Sequence, residues 1–288
     1  MNALALQEMP QIEKERVMGE IFVSPYRTLL DEFEPRVRIN IERDDYVIKT
    51  AETSAELEET LRLRHDVFYK ELIGKKLPYE LDMDRFDTRC DHLILVDRKT
   101  DDIVGTYRLI SNIFSSDFYS EGEFDLYDIK RLDGVKLELG RACIEKGYRN
   151  GQTIVLLWQG LNEYMNKIQA KYLFGCASIK TIDVMKIAVL QRYIQQYHYT
   201  QPYIRVTPNR EYRVKDLSHI VSVLEQYTAS ERKIARLIPS LLNSYLAVGA
   251  LICGEPAYDP EFQCMDYLTI LDVEAMNQSY INKLFDAC

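Results

Sequence analysis

Apolar residues recur along this chain at two periods. Short apolar or alternating runs predict strands at YVIKT (46–50), HLILVD (92–97), IVGTYRLIS (103–111), KLELGRACI (136–144) and YLFGCAS (172–178). The turn RKTDD joins the second and third as an antiparallel hairpin. Helical spacing follows a Thr/Ser start with a capping Glu in TSAELEETLRLRHDVFYKEL, where Leu57, Leu61, Phe68 and Leu72 share one face. The same period returns in Ile154, Leu157, Trp158, Leu161, Tyr164, Met165 and Ile168, in residues 182–198, and in a helix expected over 230–247. AVGALICGEPAYDPEFQCMDYLTIL then reads as two short strands around a Pro-rich turn.

Strands and helices therefore interleave, with hairpins before residue 112 and after 247 and a strand–helix–strand crossover between them. This predicts an α/β fold with a mixed, mostly antiparallel central sheet flanked by helices. Residues 1–45 form a charge-rich N-terminal arm with an apolar thread (Ile21, Phe22, Val23, Leu29, Leu30, Phe33), and residues 46–288 form one continuous domain that includes the C-terminal strand pair. Trp158 and the leucines around it are expected to be core.

Charged residues interrupt these patterns at a few positions. Arg64 falls on the apolar stripe of its helix and Arg108 inside a strand, so both must be paired if buried. In ELGRACIEKGYRNGQT, Glu138 and Arg141 are three apart and would face opposite ways on a regular strand. A bulge at Gly140 would bring them to one side, splay the sheet there, and free backbone N–H groups around Ala142, Cys143 and Ile144. Arg149, Asn150, Gly151, Gln152 and Thr153 then open a helix, where unpaired N–H groups favour an anion such as phosphate.

Bulk properties narrow the classes. A net charge of −9 over 288 residues argues against nucleic-acid binding. The six cysteines (Cys90, Cys143, Cys176, Cys253, Cys264, Cys288) form no CxxC pair, and acids near the start replace the clean apolar stretch of a signal peptide, so reduced thiols and a cytoplasmic location are expected. The longest apolar run, 241–253, is too short to cross a bilayer. None of the four histidines has metal-ligand spacing, and no metal is expected. His92 and Asp97 match the His-x-x-x-x-Asp motif of glycerolipid O-acyltransferases, but residues five apart on a strand face opposite ways and cannot form a dyad.

Arg64 and Phe68 in RHDVF, Asp84 and Asp87 in DMDRFD, Arg108 in GTYRL, and Glu138 with Arg141 in ELGR occur in an order that resembles the GNAT-superfamily N-acyltransferases fed by acyl carrier protein. Acyl-homoserine-lactone synthases are among them. ELGRAC with its Tyr-Arg-Asn-Gly turn, LLWQGL, GALICGEPAYDPEF and a final DYL look like ornithine-lipid synthases, and the likeness covers roughly residues 46–272.

The resemblance implies a GNAT-like domain in which the amine of an amino acid, ornithine first among candidates, attacks a 3-hydroxyacyl thioester. That thioester rides on the 4'-phosphopantetheine of acyl carrier protein, a co-substrate rather than a bound cofactor. A carboxylate must then accept the amine's proton, and Glu138 is the candidate general base. Arg108 and Arg141 join it as catalytic candidates, Arg64, Phe68, Asp84 and Asp87 as substrate-binding ones, and residues 142–144 and 149–153 as the thioester and phosphopantetheine contacts. Six basic residues (Lys130, Arg131, Lys136, Arg141, Lys146, Arg149) against three acids in 130–149 offer the acidic carrier protein a local basic patch. A long acyl product adds a peripheral encounter with the inner face of the membrane, through the N-terminal arm or Arg232, Lys233 and Arg236, and a partner O-acyltransferase as further expectations. The alternatives are an N-acyl amino acid synthase for glycine or another amino acid, an acyl-homoserine-lactone synthase using S-adenosylmethionine, or a non-catalytic protein that binds acyl carrier protein or lipid.

Overall fold

The computed structural model describes residues 27–224 and 234–279. A short helix α1 (Arg27–Asp31) leads into the hairpin of β1 (Asn40–Arg43) and β2 (Tyr46–Thr50). The sheet thus begins inside the stretch read as an arm, and Leu30, Phe33 and Ile39 are buried in its core. Ile21, Phe22 and Val23 lie outside the described residues.

Helix α2 (Ser54–Arg64) starts on a capping box, in which Thr53 Oγ1 accepts the Glu56 N–H and the Glu56 carboxylate accepts the Thr53 N–H. It passes into a π-helical turn over His65–Glu71. That widening rotates the next residues out of register with the apolar stripe. Leu57 and Leu61 are buried as expected, whereas Leu72 is half exposed, a departure from the single face predicted over 57–72.

β3 (Asp91–Asp97) and β4 (Ile103–Ser111) form the expected hairpin. The two-residue β5 (Phe124–Asp125) and the short α3 (Tyr127–Arg131) follow, before β6 (Val135–Ile144). α4 (Gln152–Ile168) then crosses over to β7 (Ala170–Ile179), which runs parallel to β6. Beyond α5 (Val184–Tyr197), β8 (Thr207–Pro208) pairs with β5 away from the main sheet, and α6 (Leu217–Val223) packs on α5.

Two C-terminal expectations change. A helix over 230–247 is interrupted by Pro239, whose ring cannot continue a helix, so α7 runs only from Ser240 to Val248; residues 225–233, with Arg232 and Lys233, lie outside the described residues. In place of two short strands there are three: β9 (Leu251–Ile252), β10 (Ala257–Asp259) and a nine-residue β11 (Cys264–Asp272). The main sheet runs β1-β2-β3-β4-β6-β7-β11-β10, with β9 also on β11, and among the described residues every strand pair in it except β6–β7 is antiparallel.

Alternation divides the sheet's two faces. Tyr107, Leu109, Leu137 and Leu173 meet Leu157, Trp158 and Leu161 of α4 on one face. Ile110, Phe174, Leu268 and Ile270 meet Phe118, Phe124 and Ile129 on the other.

The sheet opens between β6 and β7. Parallel pairing runs from Val135 with Ala170 to Glu138 with Phe174 and stops there. Gly175 makes the last close approach, because a Cβ on it would lie 2.2 Å from the Leu139 carbonyl oxygen. On the other side of β6, Thr106 pairs with Cys143 but Arg108 pairs with Gly140, so β6 spends three steps against two on β4. The expected bulge is present. Its strained residue is Arg141, at φ 50°, rather than Gly140, which stays in register.

Candidate active site

The opening between β6 and β7 holds a cavity of about 330 Å³. Its lining draws on both faces of the sheet: Tyr107, Trp158, Leu173 and Leu271 from the α4 side, and Ser120, Glu138 and Phe174 from the opposite side. The cavity therefore passes through the sheet at the splay. Trp158, expected as plain core, also forms its wall and packs against Tyr245 of α7 with ring centroids 6.1 Å apart.

Glu138 points into this space from β6 and is almost fully buried. Its carboxylate does not pair with Arg141. Oε2 accepts the Tyr119 N–H at 2.7 Å, and Oε1 accepts the Ser120 N–H at 2.7 Å and the Ser120 hydroxyl. The same hydroxyl contacts Cys176 Sγ at 3.3 Å. Burial raises the Glu138 pKa above the ordinary carboxylate value, and the donors at 119–120 offset part of that rise. A carboxylate so placed is poised to take a proton nearer neutrality than an exposed glutamate would.

Behind the cavity wall the predicted arginines and aspartates do meet, with one addition. Arg64 donates from Nε to Asp82 (2.9 Å) and from a terminal nitrogen to Asp87 (2.6 Å). Arg108 donates to Asp84 (2.6 Å) and Asp87 (3.1 Å), and Arg141 donates from Nε to Asp82 (3.1 Å). Asp82 joins Arg64 to Arg141 and was missed by sequence reasoning; its signal was the first acid of the same DMDRFD run.

Arg64 and Asp87 are fully buried and do not reach the cavity, whereas Arg141 and Phe68 line it. Although burial opposes the charge, the Arg64 and Arg108 guanidiniums hold Asp87 below the ordinary aspartate range, and Arg64 and Arg141 do the same for Asp82. Tyr119 lies under both Arg108 and Arg141, whose guanidinium carbons sit 4.7 and 4.6 Å from its ring centroid. The network thus fixes Arg141 at the cavity's edge while Arg64 and Asp87 brace it from within.

Of residues 142–144, expected to meet the thioester, Ala142 lines the cavity and Cys143 and Ile144 do not. The Glu145 N–H donates to Val104 O at 2.9 Å, so by ladder alternation the backbone of Ile144 turns toward the open side. The Ile144 carbonyl accepts Arg149 Nε at 2.9 Å. Cys143 is buried, and that burial pushes its thiol up to about 12, which disfavours the thiolate.

At the start of α4, Gly151 (φ 86°) turns the chain and Asn150 Oδ1 accepts the Gln152 N–H (3.1 Å), the Thr153 N–H (3.4 Å) and the Thr153 hydroxyl (3.2 Å). Arg149 clasps Glu71 with two bonds of 2.6 and 2.9 Å. An incoming phosphate would compete with Asn150 and Glu71 for these donors.

The basic run 130–149 is less of a surface patch than its composition suggests. Lys136 is buried, donating to the carbonyls of Leu132 and Gly134, and Arg141 turns inward. Lys130 pairs with Glu121 and Arg149 with Glu71, so Arg131 and Lys146 carry most of the exposed charge. His92 hydrogen-bonds the Asp87 carbonyl at 2.8 Å, while Asp97 accepts Tyr148 Oη at 2.9 Å; the two form no dyad.

Three further acids were not foreseen. Glu123, Asp259 and Asp266 all line the cavity. Burial first, and then repulsion by Asp266 and Asp259, raise Glu123 to about 8; burial and Asp259 raise Asp266 to about 6, its hydrogen bonds with Ser178, Cys264 and Glu123 offsetting part of the rise. Two clusters among the described residues have ligand atoms close enough for a metal: Asp87–Cys90–His92 and Asp259–Cys264–Asp266. In the first, Asp87 is already saturated by two guanidiniums. In the second, Asp266 is engaged by Ser178 and Glu123, and Asp259 by two backbone N–H groups.

A GNAT-type acetyltransferase domain model matches residues 63–159. An L-ornithine N(alpha)-acyltransferase of Brucella abortus (strain 2308) is 32% identical, covering 82% of this chain and 87% of its own. The chain belongs to this family. A second L-ornithine N(alpha)-acyltransferase, from Rhodobacter capsulatus, is 29% identical over 82% of this chain and 93% of its own. Among solved structures, a CoA-dependent acyl-homoserine lactone synthase aligns at a TM-score of 0.46 and 14% identity, covering 80% of this chain and 81% of its own. As a member of the L-ornithine N(alpha)-acyltransferase family with a GNAT domain, the protein is an acyltransferase, which sets aside the non-catalytic alternative. No helix among the described residues is long and apolar enough to cross a membrane.

Proposed function

We propose that this acyltransferase moves a 3-hydroxyacyl chain from the phosphopantetheine thioester of acyl carrier protein to the α-amine of ornithine. The single observation that carries the proposal is the cavity through the splayed sheet, with a buried carboxylate on one face and an apolar wall on the other. The acyl chain lies along Trp158, Tyr107, Leu271 and the α7 residues Leu242 and Tyr245, and the thioester carbonyl meets the β6 backbone near Ala142. The amino acid enters from the Glu138 face, its carboxylate toward Arg141.

An α-ammonium loses its proton to Glu138, directly or through the Ser120 hydroxyl that bonds it. The amine nitrogen then bonds to the thioester carbon, the C–S bond breaks, and the pantetheine thiol departs with a proton. Arg64, Asp82, Asp84, Asp87 and Arg108 hold Arg141 and the β6 bulge in place rather than touching substrate. Lys146, exposed and three residues before Arg149, is the cation of this run beside the 149–153 turn from which an acidic carrier protein would be met. A cytoplasmic site of action and a peripheral encounter with the membrane follow from a soluble donor and a lipid-like product.

The test is thiol release from 3-hydroxyacyl carrier protein and, separately, from the matching acyl coenzyme A, with and without ornithine. Release that needs both carrier protein and ornithine supports the proposal. Release from coenzyme A alone, or at the same rate without the amino acid, overturns it.

A further inference from the structure

The acids Glu123, Asp259 and Asp266 stand on the same cavity as Glu138 and need an explanation of their own. Glu123 is 93% buried by its 7% exposure, and its Oε2 has no hydrogen-bond partner. A polar oxygen left bare inside a protein is unfavourable unless a donor meets it. Asp266 is likewise buried, takes weak contacts from the Cys264 thiol at 3.7 and 3.9 Å, and hydrogen-bonds the side chains of Ser178 and Glu123. Asp259 is fixed by the Glu261 and Phe262 N–H groups at 2.7 and 3.0 Å, and its ligand oxygen lies within 4.8 Å of those of Cys264 and Asp266.

Among the described residues none of the three forms an ion pair. The other cations on the wall are engaged elsewhere: Arg141 bonds Asp82, and Lys180 donates to the Phe262 carbonyl. The cavity thus gathers three acids without a cation of their own beside Glu138.

We propose that Glu123, Asp266 and Asp259 form the subsite for the side-chain ammonium of a diamino acid, and so select a cationic acceptor over a neutral one. This rests on the amino acid acylation proposed above and specifies its substrate class. An ammonium donates three hydrogen bonds, which matches the bare Glu123 oxygen, the Asp266 carboxylate bonded to that same side chain, and the aimed Asp259. Binding it relieves the repulsion among the three acids, whereas a neutral side chain would leave them buried and unpaired. With the side-chain nitrogen anchored there, the α-amine is the one left to face Glu138 and the thioester.

The test compares ornithine with norvaline, the same carbon chain without the terminal amine, in wild type, Glu123→Gln and Asp266→Asn, with circular dichroism to check folding. Wild type should favour ornithine by roughly 100-fold in kcat/KM. In either variant that preference should fall to within about threefold, the loss lying in KM for ornithine. A ratio that stays high in folded variants overturns the subsite while leaving ornithine acylation intact. If both variants fail to fold, wild type alone decides, since equal use of ornithine and norvaline overturns the proposal.

Should wild type not acylate ornithine, the proposed function falls. The subsite is then judged on an equimolar amino acid pool: a preference for another cationic amino acid sustains it, and a preference for neutral ones removes it. Stoichiometric zinc retained by wild type and lost in Asp266→Asn would assign the trio to a metal instead.

Discussion

The Ser120 N–H donates to Glu138 Oε1 at 2.7 Å, and with the Ser120 hydroxyl and the Tyr119 N–H it aims a buried carboxylate at the gap between β6 and β7. A carboxylate that only supported the fold would have no need to line the cavity. Glu138→Gln keeps the shape and removes the basicity. Its kcat should fall by roughly 10²–10⁴-fold, while KM for ornithine changes little. Steady-state kinetics with the amino acid varied checks this, and a kcat near wild type would mean that another group takes the proton.

Ser120 holds the Glu138 pKa down against the rise that burial causes. Ser120→Ala removes that restraint, so the carboxylate should protonate at higher pH. The acid limb of the kcat/KM profile should therefore move toward neutrality. A pH–rate profile reads this shift, and an unmoved limb would separate Ser120 from the proton transfer.

Asp87 bridges Arg64 and Arg108 at full burial. Asp87→Asn leaves two buried guanidiniums short of their counter-ion and should destabilise the fold by about 3–5 kcal/mol. Urea denaturation followed by tryptophan fluorescence measures this, since Trp158 is the one tryptophan in the chain.

Glu123 and Asp266 titrate above their unfolded values, so the native state holds protons that the unfolded chain has already released. Their contribution to stability is complete below the ordinary carboxylate pKa and is lost as pH rises through the raised native values. Asp259, Tyr212, Cys176 and Cys264 face the pair without a positive charge, and Arg141 offsets the repulsion only in part. The melting temperature without substrate should thus decline from mildly acidic toward alkaline pH, and Glu123→Gln should flatten that decline. Differential scanning calorimetry across this range checks it, and parallel curves would contradict it.

Much of the fold was legible because its causes are local. Alternation marked β3, β4, β6 and β7, and the 3.6-residue period marked α4 and α5. Arg64 and Arg108 broke those periods, which is why their need for buried acids could be foreseen. The glycine in ELGR pointed to a bulge, but the choice of Arg141 as its left-handed residue depends on contacts with Asp82 that lie 59 positions away. Glu123, Asp259 and Asp266 carried no pattern, since a loop, a short strand and β11 converge on the cavity only in three dimensions. The basic run misled for a related reason: composition counts Lys136 and Arg141, but the strand turns both inward.

The most direct test is tandem mass spectrometry of the product formed by the purified protein from 3-hydroxyacyl carrier protein and ornithine. The account predicts one N-(3-hydroxyacyl)ornithine with the acyl group on the α-nitrogen, formed by wild type and nearly absent with Glu138→Gln. No acylated amino acid, or acylation at the side-chain nitrogen, would contradict it.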